Sequence, residues 1–167
     1  WAQRPSDAQG PIRTGAALLA DFEEALAGGD PALGEDRLTE LRRRGLISAE
    51  NGRFLEIRLL AAAGRWGTIA TAPDLEDLAR IRRPWLVTES LLTALYRVHL
   101  RPLEGEGNPD DAIRRARELG GSLEGLFLTV GPLRDPDAVS AIAAVRAGRP
   151  RASRQDITQL AETPGLP

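Results

Sequence analysis

Cysteine, lysine and methionine are absent from the 167 residues, and histidine occurs once. Without cysteine there are no disulfides, no thiolate nucleophiles and no cysteine-ligated metal sites. Without lysine, all 22 basic residues are arginine. Together with abundant Ala, Gly, Leu and Pro, this reads as the coding bias of a GC-rich, bacterial genome rather than selection for phosphate-binding forks. Long apolar runs are missing too: none approaches the roughly 20 residues that a membrane span requires. A net charge of −2 gives no global attraction to nucleic acid or anionic membrane. There is no GKS/T, no HExxH, no CxxC and no glycine-rich loop after a strand. These absences argue against an enzyme and leave no expected cofactor and no metal ligand set.

What remains is ordinary for a globular domain. Hydrophobic content of 42% in a chain of this length suits one core, burying roughly 70% of the unfolded surface. Because the chain opens on Trp1 rather than Met, it reads as a piece of a longer bacterial protein, with a cytoplasmic location expected.

The organising stretch runs from Ser48 to Leu100. Leu55, Leu59 and Ala62 share one line of a helix, and Phe54, Ile57 and Ala61 the next, which predicts one apolar side. A later helix, 85–100, repeats the device with Leu91, Leu95 and Val98. Neither can bury its stripe alone, so each needs a neighbour.

Taken in order, residues 1–13 form a linker or arm, 14–148 a helical-hairpin domain and 149–167 a tail or linker with one short helix around Ile157 and Leu160. The first helix spans about 14–27 and ends at Gly28-Gly29. Asp30-Pro31, Asn108-Pro109 and Asp135-Pro136 each pair a cap with a proline at the first helical position. Gly45 suits a left-handed helix end, with Leu46 folding back towards Leu41, and Ser48 caps the next helix. Breaks are expected at Gly64-Arg65, Ala72-Pro73 and Arg83-Pro84, with a loop over RPLEGEGNPD (101–110). Gly120-Gly121 is read as a helix stop, and Gly131-Pro132 as another.

Four pairs follow: 14–27 with 31–44, 48–64 with 66–81, 85–100 with 109–119, and 122–130 with 136–147. The period of these hairpins falls within the range of helical repeats. LLAAAGRW (59–66) resembles the helix end and turn of a tetratricopeptide repeat, and ALAGGD (25–30) resembles it more loosely. The set as a whole also resembles helical regions of bacterial defence or DNA-modification-cluster proteins. The resemblance implies an all-α, short irregular solenoid that binds protein. Departures are irregular repeat lengths, Pro73 within a second helix, and Ile57 where a small residue belongs. An irregular α-bundle is the alternative.

A rival reading sits at Arg37–Leu60. LTELRRRGLISAENGRFLEIRLL resembles the recognition helix and wing of a winged-helix domain, with FLEIRLL as its returning strand. That would offer Arg42, Arg43 and Arg44 to nucleic acid. Against it, Phe54–Ala63 keeps helical spacing and ends in alanines.

Other candidates are weaker still. Arg80, Arg82 and Arg83, and Arg114, Arg115 and Arg117, sit late in helices, where cations complement the dipole. His99 is a core or groove-edge histidine rather than a general base. Trp85, Glu89 and Tyr96 share a flank of one helix, where aromatic anchors suit a partner peptide or the next hairpin. The reading is therefore a non-catalytic scaffold that binds a protein or an adjacent domain, with Trp85, Glu89, Tyr96 and His99 as its contacts. The groove would be lined by the first helix of each pair. The alternative is a nucleic-acid-binding module using Arg42–Arg44.

Overall fold

The computed structural model describes residues 14–105, 107, 109–128 and 133–148, and every regular element among them is helical. The expected arm 1–13, the tail 149–167, Asn108 as a cap and the stop at 131–132 lie outside the described residues.

Local chemistry sets the first three helices. In α1 (Gly15–Ala27) the Thr14 hydroxyl accepts the Ala17 N–H at 3.2 Å. In α2 (Pro31–Arg43) the Asp30 carboxylate accepts the Leu33 N–H at 3.0 Å, and proline takes the first helical position. In α3 (Ala49–Ala62) Ser48 accepts the Asn51 N–H at 3.1 Å. Each then ends on a glycine in the left-handed region, Gly29, Gly45 and Gly64, with φ of 74°, 64° and 68°. The residue after each glycine donates back into the last turn: Asp30 to Ala25, Leu46 to Leu41 and Arg65 to Leu60, at 2.8, 3.0 and 2.8 Å.

The middle of the chain is more broken. Short helices α4 (Trp66–Ala70) and α5 (Leu75–Arg80) flank Pro73, as its missing N–H demands. α6 (Trp85–Leu95) runs into a π-helical turn, Tyr96–Leu100, and on into α7 (Arg101–Gly105). The loop expected from Arg101 is thus helical at first. The wider turn just before Pro102, with its i→i+5 bonding, accommodates a ring that would clash with a regular α-helical turn.

α8 (Pro109–Ser122), α9 (Glu124–Phe127) and α10 (Pro136–Gly148) complete the described chain. α8 passes straight through Gly120-Gly121, correcting the stop read there. A Cβ on Gly120 would lie 2.6 Å from Val145 Cγ1. That glycine serves the close crossing of α8 and α10.

Packing separates the molecule into two cores. Leu18, Phe22, Leu38, Leu41, Leu55 and Leu59 join α1, α2 and one side of α3. Phe54 and Ile57, from the other side of α3, join the larger core around Leu91, Leu92, Leu126 and Val145. The two apolar lines of α3 therefore face different cores, not one. α1 pairs with α2, and α3 touches α2, α4 and α6. In the second half α10 packs along both α6 and α8, which is the arrangement of a bundle rather than of successive hairpins.

The winged reading of Arg37–Leu60 does not survive. Phe54–Leu60 lies within α3, because its buried residues recur at helical spacing and its termini carry helix caps. No helix among the described residues is long and apolar enough to cross a membrane.

Candidate docking site

The flank of α6 singled out by its aromatics is spent largely on the chain itself. The Glu89 carboxylate accepts the Asp135 N–H at 2.9 Å and also the Arg134 N–H, holding the start of α10. The Tyr96 hydroxyl donates to Glu104 at 2.6 Å, and that bond, with burial, raises its pKa. Trp85 stays half in solvent, with the Arg134 guanidinium 5.7 Å from its ring centre.

His99 lies elsewhere, in the π-helical turn facing α4 and α8. Burial lowers its pKa first and the nearby Arg115 lowers it further, while a hydrogen bond with the Ala70 backbone opposes them. Arg115 Nη2 sits 3.4 Å from its Nδ1, contact that suits a neutral ring accepting from the guanidinium. The cleft beside it, about 370 Å³, mixes Glu76, Asp77, Arg115 and Ser122 with aliphatic walls. Trp85, Glu89 and Tyr96 thus share one side, and His99 does not join them.

The arginine groups do not converge. Arg42 donates to the Gly52 carbonyl at 2.9 Å and to Glu56 at 2.8 Å. Arg43 forks onto Glu40 at 2.9 and 2.8 Å, and Arg44 stands 3.8 Å from the same carboxylate. Arg80 faces Glu76 and Asp77, Arg114 pairs with Asp111, and Arg117 donates to the Gly148 carbonyl. Local compensation is what dipole and solvation arguments predict.

An apolar recess among the described residues was not read from the sequence. Between α7, α8 and α10 a groove of about 370 Å³ is lined by Leu100, Ala112, Ile113, Ala116, Ala144 and Ala147. Ile113 stands at its mouth, 42% exposed. The signal in the sequence was slight: alanines one turn apart on two helices. Their meaning depends on α8 and α10 lying side by side, and Gly120 permits that. Among the described residues no group of His, Asp and Glu could hold a metal ion.

A family model described as DpdD-like matches residues 1–166. No curated protein and no solved structure matches the chain. The match runs through both cores and the groove alike, and so the chain belongs to the DpdD-like family.

Proposed function

We propose that this chain is a non-catalytic docking module that holds a protein partner, or an adjacent domain, in the groove between α7, α8 and α10. The observation that carries it is the groove's lining: among the described residues, aliphatic and alanine side chains with one carboxylate, Glu104, at the edge. A recess of this size takes one or two apolar side chains, and alanine walls let a partner's backbone come close. This places docking on a different surface from the one the helix pattern suggested.

Two further elements belong to the proposal. The glycine-closed α1–α2 and α3–α4 hairpins support tetratricopeptide-like descent for the first half of the chain. Membership of the DpdD-like family supports the resemblance to bacterial DNA-modification-cluster proteins, so the partner is sought among proteins encoded alongside it.

The test is to replace Ile113 by a photo-crosslinking residue, identify what it captures in its native host, and then measure binding of that protein. Ile113→Asp is expected to weaken binding at least about tenfold with an unchanged melting temperature, since the side chain is surface-facing. Arg43→Glu, on the far hairpin, is expected to leave binding intact. Equal binding by the Ile113→Asp variant would sink the assignment.

A further inference from the structure

The junction of α5 and α6 builds a second surface of different chemistry. Ile81 closes α5, Trp85 opens α6 and Leu128 ends α9, all three large apolar side chains left exposed. Arg83, in the loop before α6, ties the end of α5 to α9. Its Nη1 donates to the carbonyls of Leu78, Ala79 and Ile81 at 2.8, 3.1 and 2.9 Å, and its Nη2 to that of Gly125 at 3.0 Å. A Cβ on Gly125 would stand 2.2 Å from the Ala79 carbonyl oxygen, so the α9 backbone rests directly on the end of α5.

Two exposed guanidiniums adjoin these side chains, Arg82 in sequence and Arg134 in space, with no carboxylate partner among the described residues. Arg134 lies over Trp85, and Arg82 is exposed with no hydrogen bond or ion pair among the described residues. The nearby acids are engaged: Glu76 and Asp77 face Arg80, and Glu89 holds backbone N–H groups. We propose that this patch docks an acidic protein segment bearing aliphatic or aromatic side chains.

Charge complementarity selects the acid, and Ile81 and Leu128 select the apolar component. Trp and Arg side by side are the residue types that dominate binding hot spots. A nucleic acid fits less well, since two aliphatic side chains offer nothing to phosphates. The surface is separate from the α7–α8–α10 groove and goes beyond that assignment.

The probe is a fluorescein-labelled peptide rich in glutamate and leucine, titrated against the full chain by anisotropy. A lysine–leucine peptide of equal length and an oligothymidylate serve as competitors. Saturable binding of the acidic peptide is expected, at least about tenfold tighter than the basic one and weakening with salt. Arg82→Glu combined with Arg134→Glu is expected to cost about tenfold or more, and Trp85→Ala a comparable loss. Ile113→Asp is expected to leave this binding unchanged, which keeps the patch and the groove distinguishable. If the double variant shifts the melting temperature, Arg82→Glu alone decides, because that side chain makes no hydrogen bond or ion pair among the described residues. Equal affinity for both peptides, indifference to Arg82→Glu, or preference for oligothymidylate would each overturn the proposal.

Discussion

Thr93 lies in the middle of α6, 1% exposed, with its hydroxyl oxygen unpartnered among the described residues. A buried hydroxyl that makes no hydrogen bond costs free energy, and valine keeps the shape without the polar atom. Thr93→Val is expected to raise stability by about 1 kcal/mol in urea unfolding. Arg83 presents the opposite case. Its guanidinium satisfies carbonyls from two segments at once, despite burial that lowers its pKa. A lysine ammonium cannot span both sets, so Arg83→Lys is expected to cost about 2 kcal/mol, read from the same urea midpoints. His99 makes stability depend on pH. Because its folded pKa lies below the ordinary value of 6.5, its contribution is complete above that pH and is lost as pH falls from there towards the folded value. His99→Gln is expected to flatten stability between pH 6.5 and the carboxylate range, where the parent chain declines.

At the scale of elements, glycine has two uses in this chain, and only one was legible. Gly29, Gly45 and Gly64 end helices in the left-handed region, a role visible in the sequence because a helix end is decided by its own few residues. The caps Asp30 and Ser48 were legible for the same reason. Gly120 looked identical on paper, yet it sits inside α8 because Val145 comes from a helix 25 positions later. Gly120→Ala forces α8 and α10 apart and is expected to cost about 1–3 kcal/mol. Val145→Ala in the same chain is expected to recover part of that loss, and a double-mutant cycle measures the coupling. The run from Trp85 to Gly105 misled in the same way. Pro102 signals a break, but a π-helical turn upstream accommodates it. The groove escaped detection because three elements make its walls. The Trp85, Glu89 and Tyr96 cluster was found, but its nearest partners, Arg134, Asp135 and Glu104, come from the same chain.

For the molecule as a whole, α3 joins what would otherwise be two bodies. Three ion pairs reinforce it: Arg58 with Glu23 of α1, Glu56 with Arg42 of α2, and Arg53 with Asp74 before α5. Arg58 holds the Glu23 carboxyl below its ordinary range, and Arg53 does the same to Asp74. Burial alone would raise Glu56, but Arg42 and Arg53 together pull it down. All three carboxylates are depressed, so their contribution is present above their ordinary values of 4.5, 4.5 and 3.8 and disappears as pH falls below them. Acid is therefore expected to loosen the attachments of α3 first, seen as faster amide exchange in α1 and α2 before the α6–α10 bundle opens.

That junction gives neighbouring positions unequal consequences for inherited variation. A cavity at Leu55 opens the smaller core shared with α1 and α2, whereas one at Ile57 opens the larger core built around α6 and α10. Substitutions along α3 are thus expected to cost more at Phe54 and Ile57 than at Leu55 and Leu59, the two faces recurring at helical spacing.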